Sequence, residues 1–312
     1  MPRTSGHNEL VDVGIAIVGA GPIGAATAYQ LRGADVALVA RREPDIDDTY
    51  RRSGGSICWH RPDPDRAMAI AETAQFVSDS VRDGASIRVR DAPYLFLDTG
   101  AFVPGLNVFA PDLVEHLLAR AAPPRLDLGA VTAVEAGRGR YRIIGTGGEV
   151  TARVVVLACG TGNLALMPVL RAPVEKRSLM VVDVPVDEPR RNMPHIVSRL
   201  GAGYVYSFVK EHDGQLRIHV GQEDLVHDEA AGPVDHLPAL TRAGLAERLP
   251  FLDGARTLDV LWGTDFVHKD PLVVREGSGL ISVTCGSAVR SCLHLGRRAA
   301  MEAAEALDAT VA

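Results

Sequence analysis

The sequence predicts an α/β fold with two lobes, a Rossmann-type domain and a smaller α+β domain built on an antiparallel sheet. The β-branched run Val11–Val18 ends at glycines, alanines and leucine follow at helical spacing, and Asp35–Val39 reads as a second strand. These elements make a βαβ unit of about 30 residues. From Ala130 onward the apolar pattern has period two, which is typical of an antiparallel meander. Since no linker separates the two patterns, we expect each lobe to be discontinuous in sequence.

The remaining elements follow from the same two periodicities. Helices are predicted over residues 22–32, 66–81, 111–121 and 240–249, and from the turn at Cys285 to about residue 307. Strands are predicted over residues 94–97, 131–135, 141–144, 149–157, 179–184, 204–209, 215–220, 272–274 and 280–284. The stretch 41–65 is rich in arginine, aspartate, glycine and proline, so we expect a long functional loop there.

Composition places the chain among ordinary globular proteins. It has 312 residues, 46% hydrophobic and 23% charged, with a formal net charge of −6. Interspersed charges exclude the dense cationic face of nucleic-acid-binding proteins, and no apolar run approaches the roughly 20 residues that span a bilayer. We therefore expect neither a nucleic-acid nor a membrane partner.

Two further features concern the cell compartment and the thiols. The segment Met1–Leu10 lacks the order of a signal peptide, which predicts a cytoplasmic protein. The four cysteines form no CxxC pair and have no histidines at zinc spacing. We interpret them as buried thiols and expect no bound metal.

The strongest motif is Gly19-Ala20-Gly21-Pro22-Ile23-Gly24, a GxGxxG between a predicted strand and a predicted helix. Gly19 permits the tight turn, Gly21 lets backbone amides approach a pyrophosphate, and Gly24 allows the helix to pack closely. The motif predicts a dinucleotide site formed by Gly19, Gly21, Pro22, Ile23 and Gly24.

The motif normally has an acidic partner at the end of the second strand, where it holds a ribose hydroxyl. Here Ala40 stands in that place. Arg41 and Arg42 suit the 2′-phosphate of NADP, but they also suit a solvated loop, and Glu43 is within reach as a displaced ribose ligand. The motif by itself leaves the nucleotide open.

Three more segments complete a recognisable order. Ser53-Gly54-Gly55-Ser56-Ile57-Cys58-Trp59-His60 is rich in glycine and serine, Val154–Asn163 is a strand ending in an Ala-x-Gly turn, and residues 268–286 join a proline segment to a strand and a glycine turn. With the GxGxxG, this order resembles the superfamily of D-amino-acid oxidase, glycine oxidase and sarcosine oxidase. The resemblance extends at low identity over nearly the whole chain.

The resemblance implies FAD rather than NADP as the cofactor, since the chain has no second GxGxxG for a nicotinamide domain. It implies an FAD-binding domain of residues 1–60, 111–170 and 255–312, and a substrate domain of residues 61–110 and 171–254 that roofs the flavin ring. The implied activity is oxidation of a small amine, amino acid or modified amino acid, with hydride transfer to flavin N5.

The resemblance and the residue types together predict the site. Beyond the GxGxxG, the predicted cofactor contacts are Arg41, Arg42, Gly55, Ser56, Gly160, Gly286, Ser287 and Val289. The predicted catalytic residues are Arg217, His60, Tyr206 and Arg290. Aromatic groups would wall the pocket, and arginines would hold a carboxylate.

Several features depart from the family pattern. Arg217 stands where sarcosine oxidases have an oxygen-activating lysine, the segment between Tyr94 and Pro111 is short, and the glycine-rich loop is reduced to residues 286–291. No cysteine stands near Trp262, so we expect non-covalent FAD.

Two other functions stay open at this point. The arginines after Ala40 favour a flavin monooxygenase or an NADP-dependent reductase. The departures favour a non-catalytic Rossmann-core protein acting with a partner, and homo- and hetero-oligomers are both open.

Overall fold

The computed structural model describes residues 11–41, 49–59, 63–184, 186, 188–200, 203–223, 246–247, 249–268 and 270–311. Arg42, Glu43, His60 and most of the predicted helix 240–249 lie outside these residues. The α/β class predicted from the sequence is confirmed, because the chain forms an eight-stranded, a seven-stranded and a three-stranded sheet packed with helices.

The helices are α1 (Pro22–Gln30), α2 (Thr49–Arg52), α3 (Pro64–Arg82), α4 (Ala110–Ala121), α5 (Asn163–Leu166), α6 (Glu188–Arg191) and α7 (Cys292–Val311). The strands are β1 (Val11–Val18), β2 (Val36–Val39), β3 (Ser56–Ile57), β4 (Val89–Asp91), β5 (Tyr94–Phe96), β6 (Ala101–Val103), β7 (Leu106–Val108), β8 (Arg125–Leu126), β9 (Val131–Ala136), β10 (Tyr141–Gly145), β11 (Gly148–Leu157), β12 (Val174–Val182), β13 (His195–Leu200), β14 (Gly203–His212), β15 (Gln215–Glu223), β16 (Thr257–Phe266), β17 (Leu272–Glu276) and β18 (Leu280–Thr284).

The eight-stranded sheet has the order β17-β18-β11-β1-β2-β8, and β10 and β9 extend it from β11. Its centre is parallel, since β1 pairs in parallel with β2 and β11, and β11 pairs in parallel with β18. Side chains alternate between its faces: Ile15 and Ile17 join the cluster that contains α1, α4 and α7, whereas Ala16 and Val18 join the cluster on the other face. Because both faces are covered, these strands read as continuous apolar runs.

The seven-stranded sheet has the order β16-β12-β15-β14-β13-β5-β6 and is antiparallel except between β13 and β5. Along β14, Val205 and Val209 are buried in the apolar cluster behind the sheet. Tyr204 and Tyr206, one position out of phase with them, face the opposite side. The sheet therefore presents one packed face and one face that is available to form a site.

The packing of two elements bears on the predicted domain boundaries, which stay a prediction. Helix α3, which the sequence assigned to the substrate domain, buries Ile70, Ala74 and Val77 in the cluster of the parallel sheet. Strand β16, which was assigned to the FAD domain, pairs with β12 along its whole length. Apolar periodicity identifies a buried face but not the layer that covers it, so the sequence could not place these elements.

Among the described residues, no helix is long and apolar enough to cross a membrane.

Candidate cofactor and substrate site

The three glycines of the GxGxxG have different structural roles. Gly19 has φ +107°, and a Cβ there would come 2.6 Å from the Ala158 carbonyl oxygen. A Cβ on Gly24 would collide with the Gly19 carbonyl oxygen. Gly21 has nothing within 4 Å of its Cβ position. Gly19 and Gly24 thus permit the fold, whereas Gly21 leaves open space at the start of α1.

The parallel sheet gathers the predicted nucleotide loops at one edge. The amide of Gly19 donates to Val39 O at 2.9 Å, and the amide of Ala158 donates to Val18 O at 2.8 Å. The ends of β1, β2 and β11 therefore lie side by side, and the turn with Gly160 follows β11. Helix α1 begins there with neither an acidic residue in its first turn nor a side-chain cap, as an anion-binding helix terminus requires. These residues fit the pyrophosphate of a dinucleotide.

Asn163 is a structural residue of this edge that the sequence analysis did not single out. It is fully buried, and its Oδ1 accepts from the Cys159 amide at 2.9 Å. Its Nδ2 donates to Leu157 O and to Ser282 Oγ, both at 2.9 Å. Asn163 thereby ties the end of β11 to β18, and the sequence signal for it was its place in the Gly-Thr-Gly-Asn turn.

A cavity of about 500 Å³ lies between the seven-stranded sheet and the loops beside the edge of the parallel sheet where β1, β2 and β11 end. This volume is in the ordinary range for a small-molecule site. It is lined by Thr49, Arg52, Ser53, Gly54, Gly55, Ser56, Arg66, Tyr94, Phe96, Thr99, Ala101, Arg177, Ser178, Leu179, His195, Val197, Tyr204, Tyr206, Leu261, Gly263, Asp265, Ser287, Val289 and Arg290. Six residues predicted from the sequence meet there, namely Gly55, Ser56, Tyr206, Ser287, Val289 and Arg290.

Arg217 is not brought to this cavity. Its guanidinium donates to Asp183 Oδ1 at 3.1 Å and to Gln215 Oε1 at 2.6 Å, near the end of the sheet. The alternation of side chains along β15 could place Arg217 on the face of the sheet that forms the site. It could not show how far along the strand the cavity lies. The carboxylate of Asp183, directly after the end of β12, decides where the side chain points.

An ion-pair network lines the cavity beside the loop after β18, and the sequence analysis missed it. Arg177 Nε donates to Glu175 at 2.7 Å, and Arg177 Nη1 donates to Ser287 Oγ at 3.1 Å and lies 3.5 Å from Asp265 Oδ2. Asp265 also accepts from the Ser287 amide at 2.7 Å. Ser287 has φ +59°, a left-handed conformation that favours glycine, and this network holds it there.

His195 is a second lining residue without a sequence motif. Its ring is buried, stacks on Phe208 with a centroid distance of 5.0 Å and packs 4.7 Å from Tyr94. Its Nδ1 lies 3.1 Å from Ser56 Oγ. Burial, with a smaller contribution from the charge of Arg90, lowers the pKa of His195 to about 3. The ring is therefore neutral at physiological pH and acts as a hydrogen-bonding partner of the Ser56 segment.

The charge of the lining is strongly positive. Four guanidinium groups, on Arg52, Arg66, Arg177 and Arg290, face the cavity, against the single carboxylate of Asp265 among the lining residues that the structure describes. Glu175 and Asp265 pair with Arg177, and the described lining contains more cationic than anionic side chains. A cleft of this sign concentrates anionic ligands.

The buried His219, next to this site, predicts how the free energy of unfolding changes in acid. It is 1% exposed, stacks 5.4 Å from Phe208, and neither ring nitrogen has a well-formed hydrogen bond to a described residue. Burial lowers the pKa of His219 to about 3. Since the unfolded chain takes up a proton below about pH 6.5 and the folded chain does not, stability falls as pH drops from 6.5 toward 3.

We expect His219→Phe to raise the free energy of unfolding at pH 7.5 by about 1–3 kcal/mol, because two buried unpaired nitrogens disappear. The variant should also lose less stability between pH 7 and pH 5 than the wild type. Urea unfolding at the two pH values measures both effects. His195→Phe is the matched control, and it should destabilise because it removes the bond to Ser56. Equal pH slopes in His219→Phe and wild type would contradict the prediction.

The chain resembles known proteins in part of its sequence and in its fold. A family model described as FAD dependent oxidoreductase (DAO) matches residues 14–120, about a third of the chain. No curated protein matches the sequence. Among solved structures, iminodiacetate oxidase from Chelativorans sp. BNC1 has a TM-score of 0.69 at 19% identity, covering 92% of this chain and 94% of that chain.

Two further solved structures have the same architecture. L-proline dehydrogenase from P. horikoshii has a TM-score of 0.73 at 14% identity over 93% of both chains. Glycine oxidase from Geobacillus kaustophilus has a TM-score of 0.64 at 17% identity over 96% of this chain and 95% of that chain. The resemblance predicted from the sequence is thus confirmed: residues 14–120 match the FAD-dependent oxidoreductases, and nearly the full length of the chain has their fold.

Proposed function

We propose that this chain is an FAD-dependent oxidase or dehydrogenase of a small amino acid whose carboxylate lies next to the oxidised amine. The observation that carries the proposal is the position of the arginine-lined cavity, directly beside the glycine loops at the carboxyl edge of the parallel sheet. The family match over residues 14–120 supports the cofactor.

Three groups of residues would hold FAD. Gly19, Gly21 and Gly24 at the start of α1 suit the pyrophosphate. The walls formed by Gly55 and Ser56, and by Ser287 and Val289, suit the flavin end, since they line the cavity. Gly160 and Gly286 are proposed backbone contacts at the same edge, and Arg41 follows β2 there. Because no described cysteine lines the cavity, we propose non-covalent binding.

When bound, FAD would supply a hydride acceptor for the carbon next to the substrate nitrogen. The protein needs to orient the substrate, and Arg290 and Arg66 are suited to grip a carboxylate. Tyr204 and Tyr206 contribute aromatic walls to the cavity. His195 remains neutral and bonds to Ser56, so it supports the Ser53–Ser56 segment without adding charge.

The proposal is tested by purifying the chain without added cofactor and recording its absorption spectrum before and after acid precipitation. We expect a yellow protein whose flavin remains in the supernatant as FAD. Anaerobic bleaching by carboxylate-bearing amines, but not by NADPH, would then identify the reductant. A colourless protein that does not take up added FAD would contradict the proposal.

One observation favours a second candidate function. Ala40 leaves the end of β2 without a carboxylate that could hold a ribose, and its amide donates to Leu126 O. An NADP-dependent reductase would use Arg41 and Arg42 at this place. Flavin bleaching by NADPH is the result that would favour this candidate. The cytoplasmic location and the oligomeric state stay predictions.

A further inference from the structure

The segment Ser53–Ser56, which we call the flavin wall, forms one side of the cavity and is held by neutral donors from β7. Asn107 Nδ2 donates to Gly54 O at 2.7 Å, and the Val108 amide donates to Gly55 O at 2.9 Å. The seven-stranded sheet supports the wall from its other side.

Strand β14 reaches the flavin wall through two side chains on the same face. The Phe208 ring lies against Gly54, where a Cβ would come 2.8 Å from Phe208 Cζ. Two residues further along, Lys210 Nζ donates to the Ser53 carbonyl oxygen. A cation thus holds the first residue of the wall, while neutral groups hold the next two.

Lys210 is unusual in this chain. The sequence contains three lysines against 30 arginines, and this lysine is only 8% exposed. Its ammonium group lies 5.8 Å from the centre of the Phe109 ring. Burial, helped by the charge of Arg88, lowers the pKa of Lys210 to about 8. An arginine would stay charged throughout the physiological range, whereas this lysine loses its proton just above neutrality.

Other charged groups around Lys210 do not replace it. They lie on β4 and the residues before it, on β14 and on β15, and they are Arg88, Arg90, Glu211, His212, Arg217 and His219. Arg88 pairs with Asp112 and Glu211, Arg90 donates to Val209 O, and Arg217 pairs with Asp183. The pKa of His219 is about 3, so its ring is neutral.

We propose that Lys210 is a positioning residue: its ammonium group fixes the Ser53 carbonyl, and with it the flavin wall, so that loss of the proton loosens one side of the cavity. The flavin wall is then held in place at neutral pH and becomes more mobile as pH rises through about 8. The effect on the wall is independent of the proposed function, whereas any effect on FAD retention rests on it.

The first test is amide hydrogen exchange of the full chain without cofactor at pH 7 and pH 9, corrected for the intrinsic exchange rate. We expect residues 53–58 of the wild type to lose protection by about tenfold relative to Leu280–Thr284, the scale of one charge-assisted hydrogen bond. Lys210→Arg should stay protected at both pH values, and Lys210→Met should be poorly protected at both. His212→Asn, the matched control, should respond like the wild type.

Equal protection of the flavin wall at pH 7 in Lys210→Met and wild type would overturn the proposal, as would a pH response that survives in Lys210→Arg. A second measurement does not depend on Lys210→Met folding. With three lysines, ¹³C-lysine NMR should show one ε-carbon titrating near pH 8 that is absent from Lys210→Arg. Three ordinary titrations near pH 10.5 would equally overturn it.

Flavin binding separates the two proposals. If the chain holds FAD, its dissociation should accelerate between pH 7 and pH 9 in the wild type but not in Lys210→Arg. If the wall responds to pH as expected while no FAD binds, the function proposed above fails and the role of Lys210 stands.

Discussion

Gly21→Ala is expected to weaken FAD binding by at least about 100-fold while the apoprotein stays folded, because the loss of close backbone contact removes charge-assisted bonds to the pyrophosphate. The position has φ −71° and nothing within 4 Å of its Cβ, so the protein itself accommodates a methyl group. The methyl group would occupy the space that a pyrophosphate needs. The expected loss of apoprotein stability is about 1 kcal/mol, the preference for glycine over alanine at a helix N-cap.

Gly24→Ala is the matched comparison for this prediction. Its Cβ would collide with the Gly19 carbonyl, so this variant should lose thermal stability together with FAD affinity. Titration of each apoprotein with FAD, followed by flavin fluorescence, and thermal unfolding of the same samples measure both quantities. Undiminished FAD affinity in Gly21→Ala would show that the nucleotide does not use this loop.

Arg290→Met is expected to lower kcat/KM for an amino-acid substrate by about 100-fold, the scale of a lost bidentate ion pair of 2–3 kcal/mol. Arg290 lies in the turn after β18 and lines the cavity together with aromatic side chains of β14. The corresponding amine without the carboxylate should be oxidised equally by the variant and the wild type. Steady-state rates on this substrate pair provide the measurement.

Arg217→Met is the matched control, since it removes the same charge from outside the cavity. Its guanidinium pairs with Asp183, so we expect unchanged kcat/KM and a small loss of stability from this partly exposed pair. If Arg217→Met reduced turnover with oxygen or substrate affinity, the original sequence-based prediction for Arg217 would hold. If Arg290→Met impaired the amine and the amino acid alike, Arg290 would not be the carboxylate ligand.

The local elements were predictable wherever a single pattern decides them. The observed β1, α1 and β2 agree with the predicted βαβ unit, and the meander from Val131 to Leu157 forms as expected. Strand β16 was missed because Thr257–Phe266 mixes polar and apolar residues without a strong alternation, and its pairing with β12 stabilises it. The helix predicted over residues 240–249 falls mostly outside the described residues.

The candidate site was predictable only in part, for a physical reason. Gly55, Ser56, Ser287 and Val289 sit in short motifs whose backbone requirements mark the sequence, and the structure brings them to one cavity. His195, Arg177 and Asp265 come from different strands, and each is one polar residue in an alternating pattern. Nothing local distinguishes such a residue from a solvated one until the neighbouring strand is known.

By itself, therefore, the sequence determined the α/β class, the Rossmann-type unit with its GxGxxG, and the short loop motifs that the structure brings to the cavity. Those features depend on backbone geometry over a few residues, and they leave a local record in glycines and periodicity. Only the tertiary structure decided that Arg217 turns to Asp183, and that Lys210 reaches Ser53 across more than 150 residues of chain. Side-chain direction and charge partners depend on strand register and sheet order, which long-range packing sets.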